Sequence, residues 1–589
     1  MITRMKKYTF LVFHRDYEPF LEQLRDLGVV HITQKAAGLI ENDENLQAAL
    51  QHEDELRKLI AQGAPDELIA ERSNIEQRIT EAQTAAQQVA VWGDFDPARL
   101  QSLQEAGYPL HCYACATSAY KEEWGITVDN EGGKTYFIQV GEPVDLSDTS
   151  AEEMPMPEKS ATLWLQEAEQ QKAQLADVNT RIETWQKENL ERLRNELITA
   201  RQSIDWQRVT LSTDKLADGA LCLFEGFCPI DREPELNEML EAAQVYYEES
   251  DPTKEDATPI KLKNNWFTKL FEPLTGMYGW PNYNEFDPTP ILAPFYLLFF
   301  SLCVGDAGYG LALILIGWLI AKDKLHIEMF EGLGPIIMVL GVGCMIVGYL
   351  SGTFFGIDIY QAEWMPTWAK IPMFKSWLGD ENGLLMGYDV MMVLALVIGV
   401  FHICLAMTVK AICYTKQNGF HATAATWGWL LLIVGGIATA ILAATSILGP
   451  ETTQIVLIVI AAISALGIFI FNTPGRNPLI NIGAGLWDSY NMATGILGDV
   501  LSYLRLYALG MAGAMLGMAF NQLGLTVLGE NPGVGSIIGF VLIVAFGHVL
   551  NLLMACLGAF VHPLRLTFVE YFKNVGYEGS GKKYNPFAK

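Results

Sequence analysis

The second half of this 589-residue chain is a series of long apolar runs with little charge. Residues 291–589 hold 13 basic and 15 acidic side chains, whereas residues 1–290 hold 27 and 52, a net charge of −25. Most runs have the ~20 apolar residues that a membrane-spanning helix needs. We therefore predict an acidic soluble half followed by a polytopic α-helical membrane domain. The apolar runs cover residues 291–321, 334–356, 388–412, 427–449, 453–472, 484–526 and 536–564.

The first run has two interpretations, and the placement of basic residues decides between them. Residues 291–321 form either one long tilted helix or two short helices broken near the GDAGYG motif. With two helices, Lys370 and Lys375 alone lie opposite the soluble half, in agreement with the enrichment of Lys and Arg in cytoplasmic loops. We therefore predict about eight transmembrane helices, two of them long and tilted, with cytoplasmic N- and C-termini. The basic residues then on the cytoplasmic side are Lys322, Lys324, Lys410, Lys416, Arg476 and the C-terminal lysines.

The acidic half shows no secretory signal. The opening MITRMKKYTFLVFHRDYE has a basic start, but its apolar run, Tyr8–Phe13, is shorter than a signal peptide requires. We therefore expect this half to remain in the cytoplasm, which agrees with nine cysteines that show no disulfide framework. Its negative charge argues against a nucleic-acid partner, because phosphate binding depends on basic side chains.

Strand and helix patterns divide the soluble half into lobes and long helices. Two long amphipathic helical stretches flank a small region of short strands, which predicts an antiparallel coiled coil with a lobe at its far end. The predicted domains are a membrane-proximal α/β lobe (1–40 and 213–265), an antiparallel coiled coil (41–92 and 158–212), a distal α/β lobe (93–157), a linker (266–289), a transmembrane ion-translocating domain (290–572) and a cytoplasmic tail (573–589).

The soluble half contains no recognisable catalytic or cofactor motif. It has no GxxxxGK[ST] loop and no GxGxxG between a strand and a helix, so we expect no ATP hydrolysis by this chain itself. Cys112 and Cys115 form a lone CxxC, but residues three apart on a strand face opposite sides, which is poor geometry for shared metal ligation. We therefore expect ordinary strand cysteines, no metal and no cofactor.

Two of the apolar runs carry stripes of polar side chains. Successive residues of an α-helix turn by about 100°, and each stripe occupies about 100–120° of one helix face. Each stripe ends in an arginine, and we predict that the two stripes line one water-accessible ion path. The first stripe is Asp488, Asn491, Asp499, Ser502 and Arg505, and the second is His548, Asn551, His562 and Arg565.

Arg505 is the most constraining of these side chains. An arginine at the centre of a membrane helix costs about 2.5–3.5 kcal/mol, and its guanidinium cannot lose its proton. A fixed cation beside a water path suits pairing with a mobile carboxylate, which then releases its proton or sodium ion, and it also blocks leakage along the path. No span supplies such an acid opposite Arg505, so we predict that the mobile carboxylate belongs to another protein.

Several polar side chains also have a purely structural interpretation. Arg565, near the end of its run, can extend to the membrane interface, and Asn491 and Ser502 can join neighbouring helices by hydrogen bonds. Asp306, in GDAGYG, is either a turn residue or a functional acid within the membrane. His402 is interpreted as a packing residue.

Several segments resemble the membrane stator subunit of rotary V-type and A-type ATPases, called subunit a in eukaryotes and subunit I in bacteria and archaea. They are PFYLLFFSLCVGDAGYG, GYLSGTFFGID, GDVLSYLRLYALGMAGAML, HPLRLTFVEYF and the ending GYEGSGKKYNPF. The resemblance covers essentially the whole chain. It implies a cytoplasmic arm that binds peripheral stalks, and eight helices that clasp a proteolipid rotor ring.

The resemblance also implies a complex and an activity. The complex would include central-shaft and catalytic subunits and lie in a bacterial or archaeal plasma membrane. It would couple ATP hydrolysis or synthesis to H⁺ or Na⁺ translocation through two half-channels. Arg505 and Arg565 match the arginines that face the ring carboxylates, and Glu570 matches an acid that helps ions pass on the cytoplasmic side. Asp306 and Asp358 match acids of the opposite half-channel.

The chain departs from the eukaryotic relatives at two positions. Gly513 stands where they have a histidine, and small residues around Ala555 stand where they have an acid. We expect His548 or Asn551 to substitute for these groups.

Two other classes of protein fit parts of the sequence. A secondary ion transporter with a cytoplasmic coiled-coil regulatory arm would need paired broken helices in an internal repeat. Residues 290–430 and 430–570 show no clear repeat. A membrane-anchored sensor or scaffold explains the soluble half but leaves the two polar stripes and the many spans unexplained.

Overall fold

The structure is a computed structural model that describes most of the chain. The described residues are 2–33, 43–141, 151–253, 256–283, 285–322, 332–359, 366, 374, 384–385, 387–420, 423–444, 447, 449–470, 478–529 and 533–588. Lys324, Lys370, Lys375 and Arg476, on which the predicted orientation partly rests, lie outside these ranges. The chain forms two compact units, Met1–Phe10 with Val29–His31 and Glu225–Pro586, and Leu11–Gly28 with Ile32–Phe224 and Phe587–Lys589.

The soluble half alternates strands with helices, as its sequence pattern predicts. Its strands are β1 (Met5–Phe13), β2 (His31–Ile32), β3 (Leu110–Ala116), β4 (Ile126–Glu131), β5 (Lys134–Val140), β6 (Glu152–Met154), β7 (Asp214–Leu216), β8 (Leu221–Pro229), β9 (Tyr246–Ser250) and β10 (Pro259–Ile260). Its helices are α1 (His14–Leu27), α2 (Glu44–Gln62), α3 (Asp66–Val89), α4 (Pro97–Glu105), α5 (Ala161–Ser212) and α6 (Glu233–Ala243).

Two sheets form the α/β parts of the soluble half. One has the strand order β2-β8-β1-β9, with β7 paired to β8, and the buried side chains of β1 include Tyr8, Phe10 and Val12. This alternation is typical of a strand with one covered face. The other sheet is antiparallel, in the order β4-β5-β3-β6. Cys112 and Cys115 lie in β3 as buried free thiols, so the prediction that they are strand cysteines is confirmed.

The long helices of the soluble half pack against each other in antiparallel fashion. Leu46, near the start of α2, packs with Ile204 near the end of α5. Ile75 of α3 packs with Val178, which lies closer to the start of α5. With 52 residues, α5 is about 78 Å long. The supercoiling of a true coiled coil stays a prediction.

Glu53 joins α2 to α5 through two arginines. Its side chain is 11% exposed, and its Oε1 accepts hydrogen bonds from Arg57 at 2.6 Å and from Arg201 at 2.9 Å. Burial by itself raises the pKa of Glu53, but the hydrogen bonds from Arg201 and Arg57 outweigh burial, so the pKa lies below its ordinary value. The carboxylate therefore stabilises the fold when the pH is above the ordinary glutamate pKa. This contribution to stability is lost as the pH falls through the folded-state pKa of Glu53.

Replacing Glu53 by glutamine should loosen the packing of α2 on α5. Hydrogen bonds to a charged group contribute about 1.5–3 kcal/mol, so we expect amide hydrogens of α2 to exchange about tenfold faster at pH 7. The difference from the wild type should shrink as the pH falls below the ordinary glutamate pKa and through the lower folded-state pKa of Glu53. Hydrogen exchange of the full-length protein measures both effects. The exposed Glu55→Gln is the matched control, and equal exchange in wild type and Glu53→Gln would contradict the assignment.

The second half consists almost entirely of helices. They are α7 (Trp266–Lys269), α8 (Glu272–Tyr278), α9 (Thr289–Val304), α10 (Ala307–Ala321), α11 (Gly334–Ser351), α12 (Val390–Asn418), α13 (Ala424–Ala444), α14 (Pro450–Ala465), α15 (Pro478–Ser502), α16 (Leu504–Leu528), α17 (Val534–Arg565) and α18 (Phe572–Val575). Its short strands are β11 (Thr353–Phe354), β12 (Ile357–Asp358), β13 (Leu384–Leu385), β14 (Tyr388–Asp389) and β15 (Lys582–Lys583).

Six helical segments within the described residues are long and apolar enough to cross a membrane. They are Gly334–Ser351, Val390–Gln417, Ala424–Ala443, Pro450–Phe469, Gly485–Leu528 and Val534–Val575. The chain is therefore a multi-pass membrane protein.

The first apolar run forms two helices rather than one. α9 and α10 have 16 and 15 residues, about 24 and 22 Å, and each is shorter than the ~30 Å hydrocarbon core of a bilayer. Gly305 ends α9 in the left-handed conformation (φ 58°), and Asp306 caps α10. The alternative of one long helix is therefore wrong, and the break lies within GDAGYG.

The run at 484–526 is not one regular helix. α15 and α16 meet at Tyr503, where the amides of Tyr503 and Leu506 donate to carbonyls three residues back, at 3.1 and 3.0 Å. Bonds of this 3₁₀ type give about 3.0 residues per turn instead of 3.6. The assumption of a single regular helix behind the first polar stripe is therefore wrong just before Arg505. Neither proline nor glycine marks the break.

The segments predicted as a linker and a cytoplasmic tail are both packed. The linker contains α7 and α8, and β15 of the tail pairs in parallel with β10. The hydroxyl of Tyr577 donates to the carbonyl of Gly279 at 2.7 Å, and the amide of Glu578 donates to Glu285 at 3.0 Å. The tail is therefore a structural part of the unit that contains the membrane helices.

Candidate functional site

Polar side chains of α15 and of the segment after α17 meet in an acidic cluster of Asp499, Ser502, Glu570, Lys573 and Asn574. Asn574 Nδ2 donates to Asp499 Oδ2 at 2.8 Å and to the main-chain carbonyl of Glu570 at 2.7 Å. Lys573 Nζ lies 3.7 Å from Asp499 Oδ1. Ser502 lies beside Glu570, which is 3% exposed and whose Oε2 has no hydrogen-bond partner among the described residues. A buried carboxylate oxygen is thus left free.

The backbone explains why Glu570 faces inward. Leu566–Tyr571 continues α17 as a wider π-helical turn, a rare form that is frequent at functional sites. Leu566, Thr567, Glu570 and Tyr571 are all buried in this turn. The turn therefore directs both Glu570 and Tyr571 into the protein.

A cleft of about 370 Å³, here called the first cleft, opens beside the acidic cluster. Asp488, Asn491 and Asp499 of the first polar stripe line it, together with Lys410 of α12 and with Lys573 and Asn574. Charges of both signs therefore face this space, which suits hydrated ions.

The two arginines lie apart from the hydrogen bonds of the acidic cluster. Arg505 is half-buried, its Nη1 is buried, and that atom has no hydrogen-bond partner within the described ranges. Arg565 is exposed, and both guanidinium groups act electrostatically on His562. Neither arginine forms an ion pair with a carboxylate in the part of the chain that the structure describes. The charge of Arg505 is therefore available to a group from outside.

A second polar group, the amide–histidine network, joins α10, α16 and α17. The hydroxyl of Tyr309 lies 2.8 Å from His548 Nδ1 and accepts from Asn551 Nδ2 at 2.8 Å, and Asn521 Oδ1 lies 3.0 Å from His548 Nε2. Both amides are anchored by main-chain carbonyls, because Asn521 donates to Phe355 and Asn551 donates to Gly513. A carbonyl only accepts, so His548 Nε2–H donates to Asn521 and Tyr309 donates to Nδ1. The network is complete with a neutral His548.

Both carboxylate oxygens of Asp306 accept hydrogen bonds from the backbone. Its Oδ1 accepts from the amides of Gly308, Tyr309 and Phe355 at 2.8, 3.2 and 2.8 Å, and its Oδ2 accepts from Gly356 at 2.8 Å. The residue is 1% exposed. A carboxylate held by four N–H groups has little capacity left for a passing ion. These contacts favour the interpretation of Asp306 as a turn residue.

A second cleft, of about 200 Å³, contains two further acids. Asp358 and Asp389 line it together with Leu506, Tyr507 and Gly510 of α16. Asp389 also caps α12 by accepting from the amide of Met391 at 2.8 Å. Along the α15–α16 segment, the first cleft extends to Asp499 and the second begins at Leu506.

The structure distributes the sequence-predicted site residues among these places. Asp499, Ser502 and Glu570 share the acidic cluster, Asp488 and Asn491 line the first cleft, and His562 lies near Arg505 and Arg565. His548 and Asn551 share the amide–histidine network, Asp306 adjoins that network through the amide of Tyr309, and Asp358 lines the second cleft.

Sequence reasoning missed six polar residues of these sites: Tyr309, Asn521, Asp389, Lys410, Lys573 and Asn574. Asn521 comes 16 residues after Arg505, about 160° around an α-helix, and so falls off the polar stripe. Tyr309 could have been found, since it lies in GDAGYG within the first turn of the helix that Asp306 caps.

These features define a polytopic α-helical membrane protein with an arginine between two acid-containing clefts along its α15–α16 segment. The model of the V-type ATPase 116 kDa subunit family matches residues 146–426 and 494–589, more than half of the sequence. The chain belongs to this family. The resemblance inferred from the sequence motifs is thereby confirmed.

Curated relatives extend the similarity to the full length. The V-type ATP synthase subunit I of Borreliella burgdorferi is 26% identical over an alignment of 627 positions that covers 100% of both chains. The V-type ATP synthase subunit I 1 of Treponema pallidum is 25% identical, again over 100% of both. The A-type ATP synthase subunit I of Methanocaldococcus jannaschii is 33% identical over 355 positions, 56% of this chain and 49% of that protein.

Proposed function

We propose that this chain is the membrane stator subunit of a rotary V/A-type ATPase. It couples ATP hydrolysis or synthesis, carried out by other subunits, to the translocation of H⁺ or Na⁺. Membership of the V-type ATPase 116 kDa subunit family supports this proposal, as do the full-length relatives named ATP synthase subunit I. The chain itself has no nucleotide motif and acts as a non-catalytic subunit.

The position of Arg505 carries the proposal. It lies between the residues of the two clefts along α15–α16, its Nη1 has no hydrogen-bond partner in the described structure, and no described carboxylate pairs with it. A half-buried cation without an anion is costly. A carboxylate that arrives from a neighbouring subunit removes this cost while it is present.

The two clefts then act as half-channels that are offset from each other. An ion enters through the first cleft, past Asp499 and Glu570, and binds a carboxylate of the proteolipid ring. Rotation carries that carboxylate through the lipid until it reaches the second cleft with Asp358 and Asp389. Beside Arg505 the carboxylate must be ionised, so the ion leaves before that point and cannot cross directly between the clefts.

The hydrogen bonds of Asp306 support a topology of eight spans. They tie the α9–α10 turn to Phe355 and Gly356, just after α11, so these three helix ends lie on one side. Asp358 and Asp389 share the second cleft with them. With α9 and α10 counted beside the six longer segments, the chain has eight spans, and we infer that both termini and the first cleft lie on the other, cytoplasmic side.

The partners follow from the same proposal. The helices contact the proteolipid rotor ring and the bilayer, and the soluble lobes bind the peripheral stalks. Central-shaft and catalytic subunits belong to the same complex, in a bacterial or archaeal cell membrane. No nucleic acid is involved.

ATP-driven ion uptake by inverted membrane vesicles tests the proposed function. Uptake should require both ATP and this chain, and comparing sodium-free with sodium-containing buffer identifies the ion. Uptake that persists without the chain, or that is driven by a solute gradient in the absence of ATP, would contradict the proposal and favour a secondary transporter.

A further inference from the structure

The helix break before Arg505 is held in a socket on α12. Tyr503 is 0% exposed, and its ring packs against Phe299 of α9 with centroids 5.7 Å apart. A Cβ atom on Gly399 of α12 would lie 2.5 Å from Tyr503 Cγ, so the tyrosine ring occupies the space that any other residue at 399 would fill. The ring therefore locks the position of the 3₁₀ turn relative to α12.

His402, one turn further along α12, supplies the polar contact of this socket. Its Nδ1 lies 2.8 Å from the hydroxyl of Tyr503, and it is 1% exposed. Its ring stacks on Tyr571, with centroids 4.5 Å apart and planes at 8°, and lies 4.2 Å from the ring of Phe295. Aromatic rings on both sides fix the orientation of the imidazole.

The two tyrosines in contact with His402 adjoin the main groups of the candidate site. Tyr503 precedes Arg505 by two residues, and Tyr571 directly follows Glu570. His402 therefore contacts both segments, although it belongs to neither cleft lining. From the sequence alone, His402 is interpreted only as a packing residue.

We propose that His402 is a positioning residue: its hydrogen bond to Tyr503 fixes the turn at 500–506 and thereby places the guanidinium of Arg505. The consequence for transport rests on the proposed function. A packing role alone would be met by phenylalanine, which keeps the stacking on Tyr571 but leaves the buried hydroxyl of Tyr503 without a partner. An unpaired buried hydroxyl is unfavourable, so the turn should open more often.

Hydrogen exchange in the assembled complex tests the structural step directly. In His402→Phe, the amides of residues 500–506 should exchange about tenfold faster than in the wild type. Tyr503→Phe removes the same hydrogen bond from the other side and should have the same effect. In the double variant these amides should exchange no faster than in either single variant, because both substitutions remove the same hydrogen bond. Thr408→Val, which removes a hydroxyl bonded to Cys404 on the same helix, is the control.

ATP-driven ion uptake in the same variants tests the functional step. His402→Phe and Tyr503→Phe should each lower uptake by about tenfold or more, as expected when a reacting group is misplaced, while Thr408→Val transports normally. Unchanged exchange across 500–506 in His402→Phe, or additive effects in the double variant, would overturn the proposal whatever happens to transport. A third outcome is faster exchange of residues 500–506 in His402→Phe together with normal uptake in both His402→Phe and Arg505→Gln. This outcome would support the hydrogen-bond contact and overturn the proposed function instead.

Discussion

Replacing Arg505 by glutamine should abolish ATP-driven ion uptake, with a loss of at least about 100-fold in an assembled complex. Losing one partner of a desolvated charge pair costs about 2–5 kcal/mol, and the middle of this range corresponds to a loss of several hundredfold. Without the fixed cation, a ring carboxylate keeps its ion when it passes between the clefts. Ions can then also cross directly, so passive uptake under an imposed gradient should rise. Vesicle uptake with and without ATP measures both effects.

Two further variants define what Arg505 contributes. Arg505→Lys keeps a positive charge but loses the planar guanidinium and can lose its proton, so partial uptake is expected. Lys416→Gln removes an exposed charge in the last turn of α12, outside both clefts, and should leave uptake unchanged. Normal uptake in Arg505→Gln would show that the arginine is structural and would move the mechanism to Arg565.

Replacing Glu570 by glutamine should slow ATP-driven uptake by at least about tenfold. Proton transfer by a positioned side chain contributes about 100-fold or more in enzymes, and the same argument applies to a carboxylate that relays ions. Glutamine keeps the size of the side chain but carries no ion. The atom of Glu570 that we expect to carry the ion is its buried Oε2, which has no hydrogen-bond partner among the described residues. Initial rates of uptake at fixed ATP measure the effect.

The control for this variant lies in the same stretch of chain. Glu578 is exposed and contacts Glu285 through its main-chain amide, which the substitution leaves in place. Glu578→Gln should therefore transport normally. Asp499→Asn should also slow uptake, because Asp499 holds Asn574 and Lys573 in the acidic cluster. A Glu570→Gln complex that transports at the wild-type rate would exclude Glu570 from the ion path.

The sequence predicts the site well where the signal is local. A lone arginine in an apolar run is visible without a structure, and so are the apolar runs themselves and the strand–helix alternation of the soluble half. The break of the first run within GDAGYG has a local signal as well, since Gly305 and Asp306 together favour a helix end and a new helix start.

Contacts between residues distant in sequence could not be predicted. The carboxylate of Asp306 accepts hydrogen bonds from the main-chain amides of Phe355 and Gly356, about 50 residues away in sequence. Its structural role is therefore visible only in the folded structure. The break at Tyr503 has no proline or glycine, and the side chain that hydrogen-bonds to Tyr503, His402, lies 101 positions away in sequence. Asn521 joins His548 from a helix face that no polar stripe marks.

The central claim is that Arg505 faces a mobile carboxylate of another subunit. The most direct test treats the intact complex with dicyclohexylcarbodiimide, which modifies protonated carboxyl groups in apolar surroundings, and locates the modification by mass spectrometry. The account predicts that uptake stops when a carboxylate of the small ring subunit is modified, while Asp499 and Glu570 of this chain remain unmodified. Loss of uptake with modification confined to this chain would contradict the account, because the essential mobile acid would then belong to the chain itself.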